Sequence, residues 1–394
     1  MALNAHKQPL MKKVLLFSLF LVVGLWASQI LPTVLGGVYP MFKECSTMLL
    51  YVCLSFIMIN VGREFEVDKS RWRSYAVDYF IAMATAAMPW ILIAVYYVFV
   101  LLPSDLWSSG AAWKENLLLS RFAAPTSAGI LFTMLAAINL QKSWIYKKIQ
   151  VLAIFDDLDT ILLMIPLLIM MIGFKWQMFI VIAIVTLLLC IGWRFLNAFN
   201  LPQKWYHILI YSILVCSFTH IIYVLSNHEV HIEVLLPAFV LGMIIKPQHY
   251  CSCGEERAST TISFVFMLLV GLSMPQFVGV ESSNLTSITG AQPMMSWDKI
   301  ALHVIIVSAL SNLGKMFPML FYRDRSWRER MALSVGMFTR GEVGAGVVFI
   351  ALSYNLGGPA LIISVLTLAL NLILTGFFVM IVKKLALRVE RGEN

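Results

Sequence analysis

Asp156, Asp157 and Asp159 fall within four residues of one another inside an otherwise apolar run, Ile154-Phe155-Asp156-Asp157-Leu158-Asp159. Lys315 sits in a second apolar run, and Arg340 with Glu342 in a third. On a helix of about 3.6 residues per turn, consecutive aspartates diverge by about 100°, so Asp156 and Asp157 cannot share one partner symmetrically. One carboxylate can then face a packed neighbour and the other a water-filled cavity, and Lys315 is the buried lysine able to neutralise the first. Burial penalises the charged form of acids and amines alike, which brings proton exchange within reach of neutral pH. A carboxylate that loses its proton is also a hard oxygen ligand for Na⁺. A site that holds either H⁺ or Na⁺, but not both, is already an exchanger. The competing reading is an ion-paired network that only pins helices together; three acids in four residues carry a desolvation cost that such a role does not require. Asp159 points to yet another face and is a supporting candidate.

These charges matter because of their surroundings. Of 394 residues, 60% are hydrophobic and 13% charged, against about 45–50% and about 25% in an ordinary soluble domain. A spanning helix needs about 20 mainly apolar residues, and stretches of that kind occur near 14–31, 46–62, 75–102, 116–140, 149–173, 177–198, 206–226, 231–246, 260–279, 299–322, 328–354 and 358–385. The fold class is therefore an all-α polytopic membrane protein of about twelve helices. The first run, after Lys12 and Lys13, lacks a small-x-small cleavage site and reads as a membrane helix rather than a signal peptide. The formal charge of +8 is spread in short clusters between apolar runs, as in cytoplasmic loops, and does not point to nucleic acid. Counting Lys and Arg at the helix ends puts both termini inside.

Two runs are interrupted. Segment 4 reads Arg121-Phe122-Ala123-Ala124-Pro125-Thr126-Ser127-Ala128-Gly129, and segment 11 reads Gly336-Met337-Phe338-Thr339-Arg340-Gly341-Glu342-Val343-Gly344. Proline and small polar residues at mid-membrane free backbone carbonyls. Interruptions at corresponding places of two halves point to a binding site built from inverted repeats. Segments 3 to 5 and 10 to 12 correspond, each as a continuous, a broken and a continuous helix, and the charge count gives the two triplets opposite topology. Arg340 and Glu342 could form a salt bridge that stabilises the second break.

Several clusters read otherwise. His249, Cys251 and Cys253 have metal-like spacing without a second ligand pair nearby. His228 and His231 beside Glu229 and Glu233 are candidates for pH regulation. Asp78, in the first turn of segment 3, reads as close to water. No hydrolytic or redox motif is present, so the chain reads as no enzyme, and no cofactor is expected.

Taken together, these residues resemble the monovalent cation:proton antiporter superfamily, particularly its electrogenic bacterial Na⁺/H⁺ antiporters with an aspartate dyad. The resemblance rests on Val61-Gly62-Arg63-Glu64-Phe65-Glu66, Thr126-Ser127-x-Gly129, Asp156-Asp157, Gly314-Lys315 and Arg340-Gly341-Glu342-Val343-Gly344. It implies that Asp157 is the principal Na⁺/H⁺ carboxylate, that Asp156 pairs with Lys315 when no ion is bound, and that Thr126 and Ser127 lie near the ion. It also implies a homodimer in a bacterial inner membrane, serving pH homeostasis. A core of residues 75–174 and 299–394 would slide, elevator-fashion, against a dimerisation domain of residues 1–74 and 205–298, with 175–204 as linker. Where relatives have Asp-Pro in segment 4 and Pro before Arg-Gly-Glu, this chain has Ala124-Pro125 and Thr339. Arg121 is unexpected, and a snorkelling position toward the outer surface is its reading from sequence. If Asp157 and the Asp156/Lys315 pair each release a proton per Na⁺ or Li⁺, exchange is electrogenic at two protons per ion. K⁺/H⁺ exchange or K⁺ efflux on the same fold is the main alternative, ahead of a sodium-coupled organic anion symporter and a non-transporting scaffold.

Overall fold

A computed structural model describes residues 7–64, 72–137, 140–141, 143–172, 177–225, 234–246, 253–274, 287–293, 295–354 and 356–390. Among these the regular elements are helices: α1 Lys7–Leu35, α2 Tyr39–Glu64, α3 Trp72–Tyr96, α4 Gly110–Ser120, α5 Ala128–Ala137, α6 Trp144–Ile172, α7 Gln177–Arg194, α8 Trp205–Leu225, α9 Leu235–Ile244, α10 Cys253–Leu272, α11 Trp297–Gly314, α12 Trp327–Gly336, α13 Glu342–Ser353 and α14 Gly358–Glu390. Each of the twelve apolar stretches carries helix. Six helical runs among the described residues are long and apolar enough to cross a membrane, and the first of them, Leu15–Arg63, is divided by the turn Gly36–Val38. Large apolar side chains such as Leu19, Phe80, Ile305 and Phe377 face outward along these helices, as hydrocarbon rather than water requires.

Both interruptions of the sequence are interruptions of the helix. In the first, α4 gives way to a tight turn at Arg121–Ala123, and α5 begins only at Ala128. Pro125 has no N–H to continue the ladder and restricts the residue before it. In the second, α12 ends at Gly336 and α13 begins at Glu342. Segment 10, expected as one helix over 299–322, differs: α11 stops at Gly314, Lys315 is its C-cap, and the chain goes on in the tight turn Phe317–Leu320. Pro318, at the start of that turn, removes the donor that a longer helix would need. α12 then opens on a capping box, with Ser326 accepting from the Glu329 backbone and the Glu329 carboxylate accepting from the Ser326 N–H.

Two helix pairs cross at glycines. α1 lies on α10 where Gly24 meets Gly271, and α2 lies on α9 where Gly62 meets Gly242; at each crossing a methyl group would strike a backbone carbonyl of the partner helix. Small residues at such crossings let backbones approach closely inside a bilayer. α3 packs on both α6 and α11, and α14 on α11 and α12. The α3–α11 crossing brings Gly314 against Pro89, where an added Cβ would sit 2.5 Å from the proline nitrogen. Lys315 is thus delivered from a helix end held backbone to backbone against α3.

Candidate functional site

The two breaks meet each other. The Ser127 N–H donates to the Thr339 carbonyl at 3.1 Å, and the Thr126 hydroxyl donates to the Met337 carbonyl at 3.2 Å. Gly341 lies where a side chain would collide with Ser127 and Ile130. Backbone groups that each interruption strands are therefore satisfied in part by the other interruption, which is how unwound backbone persists away from water.

α6 runs past this crossing and brings Asp156, 0% exposed, to it. Lys315 Nζ donates to both Asp156 carboxylate oxygens at 2.9 Å, and the Thr126 N–H donates to Asp156 Oδ2 at 2.7 Å. Both partners of the ion pair are fully buried. The pair joins three elements, α6, the first break and the end of α11, so the dyad helix, the interruption and the lysine are one unit. Thr160 adds a hydroxyl bond to the Asp156 carbonyl one turn back, at 2.9 Å. Asp157 is 2% exposed and, as the next residue on α6, is turned by about 100° from the lysine-bonded carboxylate. Ser127 is buried at the crossing.

Arg340 is fully buried in the second break. Its guanidinium donates to the Met337 carbonyl at 2.9 Å, to the Thr339 carbonyl at 3.3 Å and to the Ser311 hydroxyl on α11 at 3.0 Å. These bonds hold freed carbonyls of the break, which gives Arg340 a role independent of a salt bridge; the side chain of Glu342 lies outside the described residues. Arg121 corrects its sequence reading. It does not snorkel: it is 0% exposed, donates to the carbonyls of Asp159 and Thr160 on α6 at 3.0 and 3.3 Å, and stacks 4.5 Å over the Trp90 ring. A planar guanidinium suits that double task better than an ammonium would. Asp159 is 1% exposed, on the same helix one residue beyond Leu158.

The structure brings Asp156, Lys315, Thr126, Ser127 and Arg340 to one crossing, with Asp157 and Asp159 on the helix that traverses it. Sequence reasoning missed Ser311, whose signal was its register: Ser308, Ser311 and Lys315 are spaced three and four apart on an apolar helix, and all three are buried. Asp78 is also corrected. It is 2% exposed rather than solvated, and its carboxylate accepts from Lys148 and Tyr322. Of the other clusters, 226–233 with His228 and His231, and 247–252 with His249 and Cys251, lie outside the described residues. Among the described residues no group of three or more His, Cys, Asp or Glu is placed to hold a metal ion.

The family model described as sodium/hydrogen exchanger, transmembrane, matches residues 13–385. Among solved structures, the sodium proton antiporter MjNhaP1 from Methanocaldococcus jannaschii, determined at pH 8, is similar over 98% of this chain and 100% of its own, with a TM-score of 0.50 and 12% identity. That likeness is one of fold. No curated protein matches the chain.

Proposed function

Since the chain belongs to the transmembrane sodium/hydrogen exchanger family, and so to the monovalent cation:proton antiporters, we propose that it exchanges Na⁺ or Li⁺ for H⁺ at Asp157. The observation that carries this reading is the saturation of Asp156. Both of its oxygens are held by Lys315, and one also accepts from the first break. A carboxylate so engaged is a poor ligand for a mobile ion, so its neighbour on α6, facing another direction at the same depth, is the cargo group. Thr126, Ser127 and the main-chain oxygens of the breaks complete a set of hard oxygen donors of the kind alkali cations prefer. Asp159 and Arg340 with Glu342 support the site, and lithium and sodium are both substrates.

The packing is compatible with an elevator movement of the site, which belongs to the same proposal. Residues 75–174 and 299–394 form a core that moves as a body, elevator-fashion, against residues 1–74 and 205–298, with 175–204 between them. Exchanging segments 1 and 2 with 8 and 9 converts the α1–α10 crossing into the α2–α9 crossing, and both use a glycine pair. The α3–α6 and α11–α14 contacts are related in the same way. This supports two inverted repeats; twelve crossings with both termini cytoplasmic, in a bacterial inner membrane, complete the proposal from the pattern of Lys and Arg along the sequence and the family resemblance. Gly129 of the core rests on the Phe266 ring and on Leu54 of the other body, an apolar contact of a kind that can slide. The second body would form a homodimer. Release of protons from both Asp157 and the Asp156/Lys315 pair would make exchange electrogenic.

A preformed pH gradient in proteoliposomes, acid inside, tests the substrate. Na⁺ and Li⁺ added outside are expected to dissipate it and K⁺ to leave it, with a rate that depends on an imposed membrane potential. Dissipation by K⁺ alone would move the assignment to K⁺/H⁺ exchange, and a rate indifferent to potential would remove the two-proton stoichiometry.

A further inference from the structure

α3 and α11 run side by side in opposite directions, and each end of the pair is fastened by a polar contact. At one end the Tyr96 hydroxyl meets His303 Nδ1 at 2.7 Å. At the other, the Tyr322 hydroxyl donates to Asp78 Oδ1 at 2.7 Å, and Lys148 on α6 donates to both oxygens of Asp78 at 3.1 and 2.8 Å. Between these ends Gly314 touches Pro89. Lys315 follows Gly314 directly, and beyond it the chain has no α-helix to stiffen it until Trp327.

Tyr322 is one of two non-glycine residues with positive φ among the described residues, at 52°. A bulky side chain in the left-handed region is strained and persists only where its surroundings over-determine it. Here they do. Besides the Asp78 bond, Lys148 lies 5.0 Å from the Tyr322 ring centroid, and Trp144 meets the ring edge-on at 5.9 Å, itself covered by Arg325 at 4.8 Å. The Met319 carbonyl, inside the intervening turn, accepts from Arg330. Tyr322, which bonds the Asp78 carboxylate, belongs to the segment that leaves Lys315, and Lys148, which bonds the same carboxylate and lies over the Tyr322 ring, belongs to the helix that carries Asp156.

We infer that Asp78 is a positioning residue for exchange: with Lys148 and Tyr322 it fixes the end of α11 relative to α6, and so the reach of Lys315 to Asp156. The inference rests on the functional reading of that ion pair. It extends that reading to a residue on α3, a helix other than the one that carries the dyad. A bulk stabilising role would lower activity only through loss of folded protein; a positioning role changes how the ion pair behaves in protein that is folded.

Tyr322→Phe removes only the hydroxyl, and Asp78→Asn removes the charge; both are tested as full-length protein. Amide hydrogen exchange is read first, since it needs no transport. Peptides covering 309–322 are expected to exchange faster in both variants, and those of α1 and α10 to keep wild-type rates. In proteoliposomes the Tyr322→Phe maximal rate is expected to fall about tenfold, because small misplacements of reacting groups carry large kinetic costs. Its apparent KM for Na⁺ should stay near wild type, and the midpoint of its pH profile should move. Unchanged exchange at 309–322, or a pH profile superimposable on wild type at a scaled rate, overturns the positioning role. Failure of wild type to respond to any cation would instead sink the functional reading, while the hydrogen-exchange result would still decide whether Asp78 fixes the end of α11.

Discussion

Asp157→Asn is expected to abolish cation-driven proton exchange with little change in the unfolding temperature. Asparagine matches the size of aspartate, so the packing around α6 survives. It carries no charge and cannot trade a proton for an ion. Attraction between unit charges about 4 Å apart, at an effective dielectric near 20, is about 4 kcal/mol, so losing it weakens cation binding by about three orders of magnitude. Asp156→Asn should behave differently. It keeps an acceptor for the Thr126 N–H but strands the Lys315 charge, so both stability and the pH profile should change. Transport rates and thermal unfolding in detergent, measured side by side for the two variants, separate a cargo carboxylate from a structural one. Equal loss of exchange and equal loss of stability in both would contradict the division of labour.

The largest expected effect on stability belongs to Lys315→Met. Lys315 and Asp156 are each 0% exposed and bonded through both carboxylate oxygens, so the variant leaves a buried carboxylate without its counter-charge. Breaking such a pair from one side destabilises by about 3–5 kcal/mol. Lys315→Met combined with Asp156→Asn removes the stranded charge and retains the Thr126 bond, and should recover most of that loss. Unfolding midpoints of wild type, the two single variants and the double variant close the cycle. Additive losses would mean that the two residues do not act on each other.

Much of this site was legible in the sequence because charge inside apolar sequence is costly enough to be informative. Asp156, Asp157, Lys315 and Arg340 stood out for that reason, and Pro125 and Gly341 marked the breaks that they gather around. What sequence could not give was contact at a distance. Asp78 read as solvated because it stands in a first turn near charged neighbours, and nothing local reveals that Lys148 and Tyr322 close over it. Arg121 read as snorkelling because the acceptors it reaches on α6 are main-chain carbonyls, which leave no trace in side-chain types. The end of α11 at Gly314 was missed because the apolar run continues through Pro318 to Leu320, and hydropathy does not register the lost hydrogen-bond donor. Family membership follows from the match over residues 13–385, whereas the roles proposed for individual residues rest on their geometry.

Exchange at a single carboxylate, Asp157, that holds either a proton or a sodium ion is tested by adding Na⁺ to purified protein in weakly buffered detergent solution and measuring the protons released. Release is expected on Na⁺ or Li⁺ addition, suppressed by prior acidification and absent in Asp157→Asn. Sodium binding that releases no protons, or release that persists unchanged in Asp157→Asn, would contradict it.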